Sequence, residues 1–173
     1  MSSRRSDPTT PKALQVLQGP LELNVVDGII LPNLKMSGRN ESCAFLDEEG
    51  RCSIHSIRPG ICRIFPLGRI YEDGSFQYFL QVHECKKTNR TKVKVKKWID
   101  TPDIIKNEAF INRWHYFLKE ITQKVQGLPE DNVKQMNMYI LNAFFVTLYE
   151  DRRDFYEQFE ERMNAAEIEL ANM

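Results

Sequence analysis

The sequence predicts an α+β fold, with a small cysteine-bearing region of β-hairpins and loops followed by a three-helix cap at the C-terminus. Two β-prone segments meet at an Asp-Gly pair near position 27, and two more meet at another near position 73. From Thr101 the hydrophobic period lengthens from two residues to about 3.6, the period of an α-helix. All four cysteines precede that change.

Composition and period divide the chain into three parts. Residues 1–20 are rich in Ser, Arg, Thr and Pro and offer little to bury, so we expect a poorly ordered N-terminus. Residues 21–100 are predicted to form the cysteine-cluster metal-binding region, and residues 101–173 a helical region packed on it. A chain of 173 residues is typical of one domain with one core.

The first predicted hairpin opens the cysteine region. Apolar and polar residues alternate over 21–25, and an apolar run occupies 29–31. Asp27-Gly28 lies between them, and this dipeptide favours the tight turn that joins two antiparallel strands.

Two further β elements are predicted before the helices. The segments 69–71 and 75–81 flank Asp73-Gly74, which indicates a second hairpin. Valine and lysine alternate within 91–98, which predicts an exposed or edge strand whose lysines discourage further pairing. One face of the second hairpin carries Phe76, Tyr78 and Leu80.

Three amphipathic helices are predicted after this region. Thr101 is expected to cap the first, with Pro102 at its first position. The second is expected over about 129–149, and the third begins near Asp151. The apolar faces carry Ile104, Ile111, Trp114, Leu118, Ile121 and Val125 in the first helix, Val133, Met136, Ile140, Phe144 and Leu148 in the second, and Phe155, Phe159, Met163, Ala166 and Leu170 in the third.

The charge pattern argues against two kinds of partner. Lys and Arg number 24, as do Asp and Glu, so the formal net charge is zero. Without an overall field, nucleic acid and anionic membranes are disfavoured as main partners. No apolar run is long enough to cross a bilayer, and the first residues lack the apolar core of a signal peptide, so we expect a cytoplasmic protein.

Cys43, Cys52, Cys62 and Cys85 are the candidate metal ligands. In a reducing compartment, clustered cysteines more often bind metal or react than form disulfides. Their spacing lacks the C-x-x-C of zinc ribbons, so the ligands would come from separate loops. Four thiolates can close a tetrahedral zinc site or hold an iron-sulfur cluster of the 4Fe–4S or 2Fe–2S type. The sequence leaves zinc and iron open, and the alternative is that some of these thiols are simply buried small side chains.

His55 and His83 lie close in sequence to Cys52 and Cys85. Either histidine can replace a cysteine as a ligand or donate a hydrogen bond to a thiolate. The alternative for each is a surface or structural role.

The segment from Cys43 to Pro66 resembles the YkgJ-type cysteine-cluster proteins, a family of zinc- or iron-chelating domains. The matching patterns are C-x-F-L, G-x-C-x-I and R-P-x-x-C-R-x-F-P. The resemblance extends over about 21–97 and implies a zinc or iron-sulfur centre held by the cysteines. Members of that family carry an upstream C-x-x-x-C-x-x-C-C cluster, which is absent before Cys43. Either the sequence begins late, or it retains only the downstream ligands.

The same resemblance admits an enzyme, because the family includes flagellin lysine methylases. One alternative is therefore an S-adenosylmethionine-dependent protein-lysine methylase, or a redox enzyme, that uses the centre. The sequence contains no G-x-G-x-x-G fingerprint, P-loop or nucleophile elbow, and no catalytic residue is assigned. A further alternative is a nucleic-acid or protein interaction module with a structural zinc.

Arg58 and Arg63 flank Cys62 and are candidates for a role at the site. A guanidinium group can hydrogen-bond a thiolate or sulfide and offset the negative charge of a four-thiolate centre. It can equally bind a carboxylate or phosphate of a substrate, and the alternative for Arg58 is a surface ion pair.

Two surfaces suggest macromolecular partners. A basic run precedes Trp98 and can contact phosphates, although a solvated strand face is the favoured interpretation. An aromatic stripe left exposed on the helices can bind a protein partner or a second copy. The basic run is Lys86, Lys87, Arg90, Lys92, Lys94, Lys96 and Lys97, and the aromatic residues are Phe144, Phe145, Tyr149, Phe155, Tyr156 and Phe159.

Overall fold

The computed structural model describes residues 21–37, 41–85 and 91–173. Residues 1–20, predicted to be poorly ordered, lie outside the described residues, and so do Lys86, Lys87 and Arg90 of the basic run. No helix among the described residues is long and apolar enough to cross a membrane.

Short hairpins and longer helices make up the described part of the chain, which confirms the α+β class. The strands pair as three antiparallel two-stranded sheets, β1–β2, β3–β4 and β5–β6. The strands are β1 (Leu21–Val26), β2 (Ile29–Leu34), β3 (Met36–Ser37), β4 (Ser42–Cys43), β5 (Leu67–Glu72) and β6 (Ser75–Leu80). The α-helices are α1 (Gly60–Ile64), α2 (Val95–Ile99), α3 (Ile104–Val125), α4 (Glu130–Leu141) and α5 (Phe155–Ala171), with a 3-10 turn at His55–Ile57 and a π-helical segment at Asn142–Val146 that continues α4.

Both predicted Asp-Gly turns are confirmed. Asp27 and Gly28 have φ angles of 51° and 85°, and Asp73 and Gly74 have φ angles of 50° and 76°. Two successive positive φ angles define the type I′ turn, whose twist matches that of the strands it joins. The turns pair Val26 with Ile29 and Glu72 with Ser75. On the predicted face of the second hairpin, Phe76 and Tyr78 are half-buried and Leu80 is exposed.

The predicted strand over 91–98 is wrong, because its second half is the helix α2. The helix places Val95 and Ile99 four residues apart on one face, where they pack with Ile64 and Ile104 in a small apolar cluster. The stabilisation from burying Ile99, which is 1% exposed, therefore outweighs the preference for a strand that the alternation of valine and lysine indicates. The lysines at 92, 94, 96 and 97 are exposed around this helix.

The first long helix begins later than predicted. Asp103, rather than Thr101, is its N-cap, and the Asp103 side chain accepts a hydrogen bond from the backbone N–H of Lys106 at 3.2 Å. Aspartate ranks among the best N-cap residues, above threonine, which explains the shift. Thr101 and Pro102 lie in the connection before the helix.

The second long helix ends earlier than predicted. Regular α-helix stops at Leu141, and the π-helical turn stops at Val146, so Leu148 is exposed rather than part of the apolar face. The Arg162 guanidinium donates hydrogen bonds of 2.7 Å to the carbonyl oxygens of Ala143, Thr147 and Leu148. Arg162 therefore satisfies carbonyls that the end of a helix leaves without partners.

The main core lies among α3, α4 and α5, as predicted from their apolar faces. All six aromatic residues that suggested a partner surface belong to it, buried or half-buried. The fully buried members of this core include Phe159, Met136, Ile140, Met163 and Leu170. Three of the six, Phe145, Tyr149 and Tyr156, are only half-buried, so a protein partner at these helices stays a prediction.

The β1–β2 hairpin packs on this helical core. Ile29 is 2% exposed and belongs to the core cluster with Val125 and Met136. Asn137 of α4 is buried, accepts a hydrogen bond from the backbone N–H of Ile30 at 2.7 Å and donates one to the carbonyl of Gly28 at 3.0 Å. One amide side chain thus holds the turn and the start of β2 against α4.

Asp154 caps α5, and its removal should be measurable. Its carboxylate accepts hydrogen bonds from the backbone N–H groups of Tyr156 and Glu157, and the bond from Glu157, assisted by Lys106, lowers the pKa of Asp154. We expect Asp154→Ala to cost about 1 kcal/mol, the typical value of an N-cap. Since the pKa is lowered on folding, this stability is present above about pH 3.9 and is lost as the pH falls through the native value.

Urea unfolding at several pH values checks this expectation. Asp154→Asn keeps a capping oxygen but cannot titrate, so its stability should fall less steeply than that of the wild type in acid. Equal acid slopes for the two proteins would show that the Asp154 charge does not contribute.

Candidate metal centre

The four candidate cysteines lie on four different elements. Cys43 is in β4 opposite Met36, Cys52 forms an isolated β-bridge with Leu46, and Cys62 is in α1. Cys85 follows β6. Each is a half-buried thiol. The prediction that the thiols come from separate loops is consistent with this placement.

A tight loop sets Cys52 back against the segment that follows Cys43, where Leu46 forms the isolated bridge with Cys52. The side chain of Asp47 accepts a hydrogen bond from the backbone N–H of Arg51 at 2.7 Å, and the Asp47 carbonyl accepts one from Gly50 at 3.0 Å. The backbone N–H of Ser53 then donates to the carbonyl of Phe45 at 2.8 Å. These bonds turn the chain back on itself between Cys43 and Cys52.

Arg63 anchors the helix that carries Cys62. Arg63 is 8% exposed, and its guanidinium donates hydrogen bonds of 3.3 Å to the carbonyl oxygens of Ser56, Arg58 and Asp100. Those three carbonyls lie in the 3-10 turn, at its end and at the end of α2. The structure therefore places Arg63 where it joins α1 to its neighbours on both sides.

Two of the other thiols act on Cys62 electrostatically. Burial raises the pKa of the Cys62 thiol, and the neighbouring Cys43 and Cys52 raise that pKa further. Arg58 acts in the opposite direction and lowers it. Such effects fall off with distance, so they indicate that Cys43, Cys52 and Arg58 lie near Cys62.

Near Cys62, the Arg58 side chain has a buried N–H donor without a hydrogen-bond partner among the described residues. Its Nη1 is 2.9 Å from Nε2 of His55, an arrangement in which the arginine donates and the imidazole accepts. Its Nε is buried and has no hydrogen-bond partner within the described residues. A buried donor without a partner is unfavourable, and a thiolate or a sulfide would satisfy it.

Cys85 and His83 lie on the turn that follows β6. The backbone N–H of Gln81 donates to the carbonyl of Pro66 at 3.0 Å, which holds the start of this turn beside the end of α1. His83 is exposed and Cys85 is half-buried.

The described thiols are neighbours without forming a closed coordination sphere. Over residues 21–37, 41–85 and 91–173, no three His, Cys, Asp or Glu side chains are gathered closely enough to hold a metal ion. The donor chemistry nevertheless fits the group that the sequence implies, since soft thiolates suit zinc and iron-sulfur centres. The unpartnered Arg58 donor beside them fits a negatively charged sulfur site.

Sequence reasoning did not anticipate two cavities at the junction of the β5–β6 hairpin and α3. Their volumes are about 300 Å³ and about 260 Å³, and Asn112 lines both. A signal was present in the polar stripe that Glu108, Asn112 and Tyr116 form at four-residue spacing on α3. None of the four cysteines is among the residues that line these two cavities.

Comparison with known proteins identifies a family. The model of the CxxCxxCC family, described as "Putative zinc- or iron-chelating domain", matches residues 12–120, which is more than half of the chain. No curated protein and no solved structure matches the chain. The match includes all four cysteines, although their spacing differs from the one in the family's name.

Proposed function

We propose that this chain, which belongs to the CxxCxxCC family of zinc- or iron-chelating domains, holds one metal centre through Cys43, Cys52, Cys62 and Cys85. Family membership and the four cysteines support metal binding itself. The assignment of individual ligands is our proposal. When bound, the metal would cross-link β4, the loop before Cys52, α1 and the turn after β6.

The observation that carries this proposal is the nearness of Cys43 and Cys52 to Cys62. Cys62 has a raised pKa because it is buried and because Cys43 and Cys52 lie close enough to oppose its ionisation. A bound cation would lower the pKa of Cys62, since it stabilises the thiolate form and removes the repulsion between neighbouring thiolates. Ligation would draw the thiols closer together, and Cys85 would complete the set from the adjoining turn.

Two polar side chains have supporting roles in this proposal. Arg58 would direct its unpartnered Nε at a ligand sulfur and offset part of the charge of a four-thiolate centre. His55 would orient Arg58 through the 2.9 Å contact rather than bind the metal itself. Arg63 would keep α1, and with it Cys62, in place through its three carbonyl contacts.

The methylase and redox alternatives rest on the family resemblance alone. The interaction-module alternative has the exposed lysines around α2 in its favour, together with Trp98, which is 45% exposed. However, the indole N–H of Trp98 donates a hydrogen bond to the carbonyl of Phe65 at 3.0 Å. This bond joins α2 to the end of α1, so the side chain has a structural role. We therefore place metal binding first.

Anaerobic purification, elemental analysis and a visible absorption spectrum test the proposal directly. We expect about one metal centre per chain. Colourless protein with stoichiometric zinc would identify a structural zinc site, and a brown chromophore with iron and acid-labile sulfide would identify an iron-sulfur cluster. Protein that contains neither metal, and takes up neither after reduction of its thiols, would refute the proposal.

A further inference from the structure

The outer face of the β1–β2 hairpin is apolar along its whole length. Cross-strand partners lie on the same face of a sheet, and successive residues of a strand alternate between the two faces. Ile29 and Leu31 belong to the helical core, so the alternate positions of the hairpin point away from that core. The outward pairs are Leu21 with Leu34, Leu23 with Pro32, and Val25 with Ile30.

This outer face has the composition of a buried surface. All of its side chains are apolar, whereas the opposite face carries Glu22, Asn24 and Asn33. Leu23 is nevertheless 62% exposed and Val25 70% exposed, and no outward residue packs in either apolar cluster of the described part of the chain. A sheet with one solvated face normally turns its polar side to water, so this arrangement indicates that something else covers the outer face.

The face is too small to be the main interface between two proteins. It offers six side chains, whereas a stable interface takes roughly 20–30 residues from each partner. Two copies of the chain that met only here would therefore associate weakly. A segment tethered to the hairpin needs far less contact area, because a short tether keeps it at a high effective concentration.

The chain that leads into the hairpin contains such a segment. The described residues begin at Leu21, which is itself on the outer face. Gly19-Pro20 precedes it in the sequence, and this dipeptide is typical of turns. Before that dipeptide, the sequence has an apolar stretch that contains Leu14, Val16 and Leu17.

Reach and family membership both favour this stretch as the cover. Leu17 lies four residues before Leu21, and four extended residues span up to about 14 Å. The strand from Leu21 to Val25 is about 13 Å long, so the whole face is within reach. The family model matches residues 12–120, which places this stretch inside the matched domain and residues 1–11 before it.

We propose that residues 12–18 fold back over the hairpin and pack Leu14 and Leu17 against its outer face. The segment would cover Leu23, which lies at the centre of that face. The hairpin would then be held between two apolar layers, the helical core on one side and its own leading segment on the other. The poor order expected at the N-terminus would be confined to residues 1–11.

A double-mutant cycle on the metal-loaded full chain tests this contact. Leu14→Ala combined with Leu17→Ala alters the segment, and Leu23→Ala alters the face. Urea unfolding at a fixed metal concentration gives the unfolding equilibrium constant of each variant. We expect each alteration alone to raise this constant about tenfold, and both together to raise it by several-fold less than the product, because the shared contact is lost only once.

Ile105→Ala is the matched control for Leu23→Ala. Ile105 is 76% exposed and lies at the start of α3, roughly 30 Å along that helix from Val125, which packs with Ile29 under the hairpin. Its effect should multiply with that of the segment variant, as expected for distant sites. Sedimentation of the wild type should show a monomer.

Two results would overturn the proposal. Effects of the segment and of Leu23→Ala that simply multiply, in a monomeric chain, would mean that the segment does not cover this face. A dimer that Leu23→Ala weakens, again without coupling to the segment, would assign the face to a second copy of the chain. Circular dichroism and metal content, both expected to equal those of the wild type, establish that each variant is folded.

Discussion

Cys62→Ser should abolish stoichiometric metal binding and destabilise the segment between β4 and β6. Cys62 is the thiol on which Cys43 and Cys52 both act, so it lies at the centre of the proposed ligand set. Structural zinc contributes roughly 10–16 kcal/mol to small zinc-finger peptides. We expect a smaller loss here, of several kcal/mol, because Ile64, Ile99 and Ile104 give this region an apolar cluster of its own.

Metal analysis and urea unfolding, with and without a chelator, measure this effect. The matched control is Ile61→Ser, which places the same hydroxyl side chain one residue away on α1, at a position that is 64% exposed. The control should keep its metal, and a chelator should destabilise the wild type but not Cys62→Ser. Normal metal content in Cys62→Ser would remove this residue from the site.

Asn137→Leu should lower the free energy of unfolding by about 2–4 kcal/mol. The substitution leaves the Ile30 N–H and the Gly28 carbonyl without the partner that now holds them at 2.7 and 3.0 Å. Each polar group left unsatisfied in a protein interior costs roughly 1–3 kcal/mol. The cost should appear as a lower urea midpoint with metal content retained, since Asn137 lies on α4.

Met138→Ala is the control for that experiment, because Met138 is the next residue of α4 and is 57% exposed. It should change stability by less than about 0.5 kcal/mol. Asn137→Asp keeps the oxygen that accepts from Ile30 but loses the donor to Gly28, so it should also be destabilising. A leucine variant as stable as the wild type would show that the amide does not hold the hairpin.

Elements that depend on local signals could be predicted from the sequence. The two Asp-Gly turns and the apolar faces of α3 and α5 were predicted because turn type and hydrophobic periodicity depend on residues that are close together in the sequence. The strand over 91–98 was wrong because its outcome depends on a distant contact, the packing of Ile99 with Ile64 and Ile104. The end of the second long helix was misplaced for the same reason, since Arg162 of α5 binds the carbonyls of Ala143, Thr147 and Leu148 within and just after the π-helical segment.

The candidate site also has features that the local sequence predicts and features that depend on distant contacts. Four cysteines and the R-P-x-x-C-R-x-F-P pattern sufficed to predict the family, which the family model confirms, while the choice of ligands stays a prediction. The contacts of Arg63 with three carbonyls and of Arg58 with His55 depend on how separate loops meet. The cavity at Tyr78 and Asn112 also needed the three-dimensional structure, because its walls come from a hairpin and a helix far apart in the chain.

The packing of β1–β2 on α4 has a consequence for how the cysteine segment behaves without metal. Ile29 anchors the chain before this segment, and Ile99 anchors it again beyond Cys85. A chain tethered at both ends keeps its thiols at a high effective concentration, because each has only a limited volume to explore. Loss and recapture of metal can then occur as local opening and closing on a protein whose helical core stays folded.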